Sequence, residues 1–264
     1  MATCHPNSWR GGTTTKPTAR PISGPTARRS TAASTSTSWP EPMTADAAVR
    51  MERMYRWQRH IYDASRKYYL WGRDRLISEL DLGPEEHLLE IGCGTARNLI
   101  VIAERYPEAR LYGFDAADAM LEVGRAKVAK AGLDDRIRLA FGLAGTGIER
   151  VLFDRPEGYD RIVFSYSLSM FDDPTGAIDS AVAALAPGGR LHVVDFGVMQ
   201  GLPAPLRWLL VRWLESFHVH PSSAAHDRLA ERRAADGAAL DFQELAGGYA
   251  QLMTYRLPPD RVAQ

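Results

Sequence analysis

From Glu86 onward, apolar positions alternate between two periods. Short apolar runs at 86–92, 109–115, 136–141, 160–166 and 190–196 have the length and bounding residues of strands. Between them, 96–106, 117–131 and 175–186 repeat apolar residues at helical spacing. Strands alternating with helices predict a mostly parallel sheet covered on both faces. Two further runs, 239–245 and 249–257, flank Gly247-Gly248 and predict a C-terminal antiparallel hairpin. In such sheets ligands bind beyond the carboxyl ends of the strands. The residues following 92, 115, 141, 165 and 195 are therefore expected to gather at one site.

The stretch Leu88-Leu89-Glu90-Ile91-Gly92-Cys93-Gly94-Thr95-Ala96-Arg97-Asn98-Leu99 reads as a strand, a glycine turn and a helix start. Gly92 and Gly94 lack Cβ atoms, so a ligand can lie against the backbone where the helix begins. The second strand ends in Asp115, a carboxylate able to hold two ribose hydroxyls. Dinucleotide enzymes share this arrangement but need a third glycine, and position 97 is arginine. An acid two residues before the first glycine, Glu90, instead gives E-x-G-x-G-T. This resembles the first motif of class I S-adenosylmethionine (SAM)-dependent methyltransferases, with Asp115 as their ribose-binding acid. Leu185-Ala186-Pro187-Gly188-Gly189 is similar to the turn those enzymes place before the fifth strand. The resemblance implies a Rossmann-like α/β fold with a seven-stranded, mostly parallel sheet and SAM as cofactor. Candidate cofactor residues are Glu90, Gly92, Cys93, Gly94, Thr95, Asn98, Asp115, Ala116 and Ser165, with Tyr69 and Arg73 ahead of the first strand. Arg73 is placed to clamp the methionine carboxylate; the competing reading is a surface ion pair with Asp74 or Glu79. Many class I enzymes carry an acid after the third strand, but here Phe141-Gly142-Leu143-Ala144 has none. Adenine is then expected against the backbone near Leu143 and Ala144, with Met120 either beside it or in the core.

Composition narrows the surroundings. A 264-residue chain with 45% hydrophobic residues can bury one sizeable core with a small appendage. Its formal net charge of zero gives no basic field for nucleic acid. Cys4 and Cys93 form neither a disulfide framework nor a zinc pattern, which fits a reducing cytoplasm, and no metal site is expected. No apolar stretch is long enough to span a bilayer or serve as a signal h-region, so the expectation is a cytoplasmic protein, at most peripheral on the inner face of a membrane. Residues 1–45, dense in Thr, Ser, Pro and Arg, read as a tail outside the fold: a basic arm, a transit peptide, or sequence ahead of a true start at Met43 or Met51.

The stretch 46–85 is expected to form a helical lid before the methyltransferase domain at 86–264. Within it, Tyr55-Arg56-Trp57-Gln58-Arg59-His60-Ile61-Tyr62-Asp63 and Arg66-Lys67-Tyr68-Tyr69-Leu70-Trp71-Gly72-Arg73-Asp74 interleave aromatics with cations. They resemble the N-terminal signature of bacterial betaine-lipid N-methyltransferases; Asp160–Met170 and Trp208–Val219 are similar in type. The resemblance implies trimethylation of diacylglycerylhomoserine to diacylglyceryl-N,N,N-trimethylhomoserine, a lipid headgroup as partner, and a separate enzyme that makes the homoserine lipid. Methylation of another lipid or a small-molecule amine, or SAM binding without turnover, are the alternatives. The acceptor ammonium must lose a proton before each transfer. Tyr166, Asp195 and His218 are the candidates to take it or hold the amine; a packed tyrosine and a loop-stabilising carboxylate are the plainer readings of the first two. The segment 201–217, within an insertion near 201–220, reads as an amphipathic helix in which Trp208 and Trp213 with flanking arginines suit either a membrane surface or the core.

Overall fold

The computed structural model describes residues 70–217 and 219–259. The tail at 1–45, most of the expected lid, Tyr69 and His218 lie outside the described residues. Seven strands form one sheet among these: β1 (His87–Ile91), β2 (Arg110–Asp115), β3 (Ile137–Phe141), β4 (Tyr159–Ser165), β5 (Leu185–Phe196), β6 (Ala239–Leu245) and β7 (Ala250–Arg256). Their order is β3-β2-β1-β4-β5-β7-β6, and β7 runs antiparallel to both its neighbours. Chain order reverses between β1 and β4, which opens a crevice at their carboxyl ends.

Period-two alternation sends successive side chains to opposite faces. Leu88, Leu111, Val163 and Val194 enter one core, beneath α1 (Arg73–Ser78), α2 (Arg97–Arg105) and α3 (Asp118–Lys130). Leu89, Phe114, Ile162, Phe164 and Val193 enter the other, beneath α4 (Pro174–Ala184) and α6 (Ala224–Asp236). The helix starts follow their sequences: Asp173 caps α4 by accepting from the Gly176 amide at 2.8 Å, with Pro174 at the first helical position. An acid–base cluster ties α6 to α4, Asp179 accepting from Arg228 at 2.7 Å and Arg232 at 3.0 Å.

One boundary departs from expectation. Leu185–Gly189 lies inside β5 as an irregularity, not as a turn ahead of it. The β4–β5 register moves from Tyr159↔Leu185 to Arg161↔Arg190, so the extra residues bulge out. Gly189 fits because a Cβ there would stand 2.8 Å from the Ala186 carbonyl oxygen.

The insertion forms α5 (Ala204–Glu215), held at both ends. The Gly201 amide donates to the Gly247 carbonyl in the β6–β7 turn at 3.0 Å. After the helix, the His220 amide donates to the Ser169 carbonyl at 2.9 Å, in the 3-10 turn Leu168–Met170 beyond β4. α5 therefore straps the carboxyl edge of the sheet from the β7 side to the β4 side.

Candidate functional site

At the crevice, the backbone after β1 turns tightly. Gly92 and Cys93 amides both donate to the Phe114 carbonyl, at 2.9 and 3.1 Å. Gly92 and Gly94 have φ of 74° and 53°, and a Cβ on Gly94 would meet open space. Asp115 at the end of β2 fastens this loop: its carboxylate accepts from the Gly94 amide at 2.7 Å and the Ala117 amide at 2.9 Å. A carboxylate offers about four lone-pair sites, so two acceptor positions remain for hydroxyls. The sequence did not disclose this second duty of Asp115.

Leu70, Arg73, Glu90, Gly92, Cys93, Gly94, Thr95, Arg97, Asn98 and Ser165 line one cavity above the loop. Glu90 is 1% exposed, and its Oε1 accepts from Asn98 Nδ2 at 2.6 Å. Arg73 is 5% exposed at the start of α1, with its Nε 3.9 Å from Asp74 Oδ1. Thr95 accepts from Lys127 Nζ at 3.0 Å, which anchors the loop to α3. Burial, then the nearby Glu90 carboxylate, pushes the Cys93 thiol well above its ordinary range, so Cys93 is a wall and not a nucleophile. Ala116 and Leu143 are exposed, while Met120 and Ala144 are half-buried, and none of these four lines the cavity.

Leu70 and Arg97 were missed as cavity residues. Arg97 entered the sequence reading only as a missing glycine, yet its buried Nη1 sits in the wall beside Asn98. No local spacing signals that Arg73 and Arg97 line one cavity, because the two come from different helices.

Two expected catalytic groups have their polar atoms engaged in the surrounding structure. The Tyr166 hydroxyl donates to the Trp71 carbonyl, its ring stacks edge-on to Phe196 at 4.7 Å, and burial followed by Asp195 raises its pKa. It is a packed tyrosine holding the segment before α1, and it occupies a left-handed conformation, φ 57°, that side chains of this size rarely adopt. Asp195 is buried and accepts from the Ser169 amide at 3.1 Å and the Phe196 amide at 2.7 Å. Desolvation raises its pKa. Neither side chain lines the cavity; both brace its frame. Among the described residues no cluster of acids, histidines and cysteines suits a metal ion.

The lining can hold an amino acid bearing a ribose. Glu90 supplies an anion for an ammonium, Arg73 and Arg97 supply guanidiniums for a carboxylate, and Asp115 lies at the next strand end. Ser165 Oγ and Asn98 Oδ1 are buried there with no hydrogen-bond partner among the described residues, which leaves polar capacity for a polar ligand. SAM fits this set.

Residues 89–191 match the family model of a methyltransferase domain. Demethylmenaquinone methyltransferase of Thermus thermophilus is 31% identical over 127 residues, 48% of this chain and 54% of that protein. Ubiquinone/menaquinone biosynthesis C-methyltransferase of Paracoccus denitrificans is 31% identical over 137 residues, 52% of this chain and 51% of its own. The chain spans about half the length of these curated relatives. The apo structure of the SAM-dependent methyltransferase SibL aligns with a TM-score of 0.54 at 19% identity, covering 81% of this chain and 60% of that one. The fold is that of class I methyltransferases, and the methyl donor that the domain and its fold neighbours imply is SAM.

Proposed function

We propose that this chain, with its class I methyltransferase fold and SAM as donor, methylates the amino nitrogen of diacylglycerylhomoserine three times. The observation that carries methyl transfer is the cavity at the β1–β4 switch point, where Glu90, Arg73 and Arg97 complement an amino acid end. The homoserine lipid is supported by the Tyr55–Asp63 and Arg66–Asp74 blocks, and by the apolar strap α5 beside the crevice. When bound, SAM supplies an electrophilic methyl group on a sulfonium.

The chain contributes position and dryness, which for an in-line displacement can supply roughly 7–11 kcal/mol of the barrier. Asn98 fixes the Glu90 carboxylate, and Asp115 fixes the loop amide of Gly94. Tyr166 and Asp195 hold the residues on either side of the β4 end. Each acceptor ammonium has to release a proton first, and with Tyr166 and Asp195 engaged in the frame, His218 is the remaining candidate base. The acceptor lipid would come from a separate enzyme.

Purified protein with labelled SAM and diacylglycerylhomoserine should yield mono-, di- and trimethylated lipid in sequence. The two 31%-identical relatives favour a second reading, carbon methylation, and demethylmenaquinone is the parallel substrate to try. Methylation of a water-soluble amine with none of the homoserine lipid would overturn the lipid assignment and leave methyl transfer standing.

A further inference from the structure

The described residues expose eleven large hydrophobic side chains, and they are not scattered. Trp71 lies beside the β4 end, Phe141 ends β3 and Leu143 follows it, and Met170 is in the turn beyond β4. Leu206, Trp208, Leu209 and Trp213 are on α5, with Phe217 just after it. Only Val151 and Phe242 stand apart from this carboxyl edge. Scattered apolar residues need no explanation, whereas a patch at the mouth of a crevice marks an interaction surface.

The chemistry of α5 selects the partner. Leu206, Leu209, Trp213 and Phe217 recur at spacings of three, four and four, so they form one stripe along the helix. At 3.6 residues per turn, Arg207 and Arg212 leave the axis about 110° to either side of that stripe. Of the helix, only Leu214 is fully buried, and the stripe residues Leu206 and Leu209 are 45% and 59% exposed. A core helix would bury the stripe. A strap of twelve residues is too short to cross a bilayer, and no described helix is long and apolar enough to do so. The apolar anchors are flanked by Arg207 and by Arg212, which lies 3.3 Å from Glu215 Oε2. Such a stripe is complementary to an anionic lipid surface, where the leucines and Trp213 enter the acyl boundary and the guanidiniums stay at the headgroups.

We propose that α5 docks the protein on an anionic bilayer with the crevice mouth facing the lipid. The Ser169–His220 hydrogen bond fixes the end of the strap to the turn beyond β4, so docking brings the bilayer to the site. An acceptor headgroup can then enter from the membrane plane without the lipid leaving it. This inference rests on the lipid reading of the function and adds the surface through which it operates.

The test is flotation of the full chain with phosphatidylcholine vesicles and with vesicles containing phosphatidylglycerol, without SAM or acceptor. Binding to the anionic vesicles, weakened by salt, is expected. Leu206→Ala with Leu209→Ala should lower partitioning about tenfold while the melting temperature and SAM affinity hold. Arg207→Gln with Arg212→Gln should remove the preference for anionic vesicles and retain fold. No binding to either vesicle, or binding indifferent to both pairs of substitutions, overturns the docking surface. So does a dimer in sedimentation that the Leu206→Ala, Leu209→Ala variant dissolves, since a second copy would then occupy the stripe. If vesicles are not bound yet detergent-dispersed diacylglycerylhomoserine is methylated, docking fails and the function survives. If vesicles are bound but the lipid is never methylated, the functional reading fails and docking survives.

Discussion

Asp115 has two jobs, and they can be separated. Asp115→Ala removes the tether on the Gly94 amide together with the hydroxyl acceptor, whereas Asp115→Asn keeps one oxygen for one of these. Charge-assisted hydrogen bonds are worth roughly 1.5–3 kcal/mol each. Calorimetry should therefore show SAM affinity falling by a few kcal/mol in Asp115→Ala and by less in Asp115→Asn. Unchanged affinity in a folded Asp115→Ala protein would remove the ribose assignment. Tyr166→Phe separates frame from catalysis. Loss of the bond to the Trp71 carbonyl should cost about 1 kcal/mol of stability and leave much of kcat. A proton-accepting tyrosine would instead show near-complete loss of kcat with little change in melting. The sequence disclosed Glu90, Gly92, Gly94 and Asp115 because their chemistry depends on local spacing. Arg73 with Arg97, and the inward commitments of Tyr166 and Asp195, depend on which strand ends meet, and that is a property of the folded sheet.

Among the elements, strands were the most legible, because buried parallel strands read as uninterrupted apolar runs. β1 to β4 fall within a residue or so of 86–92, 109–115, 136–141 and 160–166. β5 begins at Leu185 because its proline and glycines bulge within the pairing instead of ending it. α6 went unread because it buries only Ala225 and Leu229, too few to show an apolar period, and its ion pairs run to Asp179 of α4. A different polar device anchors the link from α1 to β1. Arg161 on β4 is buried and donates to the carbonyls of Leu80 at 2.7 Å and of Asp81. Its guanidinium also lies 3.3 Å from Glu86 Oε2. Arg161→Ala strands those acceptors, and denaturant unfolding should show a loss of about 3–5 kcal/mol. A change under 1 kcal/mol would mean that water replaces the guanidinium without penalty.

For the whole molecule, acid should be destabilising through a particular histidine. His192 on β5 is buried, and desolvation, then Arg161 and Arg190, lower its pKa from 6.5 to about 3. Unfolded chains take up this proton below about pH 6.5 and the folded protein does not, so stability falls as pH falls across that window. The slope approaches about 1.4 kcal/mol per pH unit for one group. His192→Gln should flatten melting temperature against pH between 6.5 and 4, and an unaltered slope would assign the effect to carboxylates.

The brace between the strap and the β6–β7 turn bears on how the protein is made. Met199 and Gly201 amides donate to the Gly248 and Gly247 carbonyls, and Gly197 donates to Tyr249. On the ribosome, the donor cavity has all its lining residues once Ser165 has emerged, and domains generally organise from the N-terminus during synthesis. The strap cannot settle until the last strand has threaded between β5 and β6. A nascent chain thus holds every residue that lines the cavity before the β6–β7 turn that braces the strap has been made.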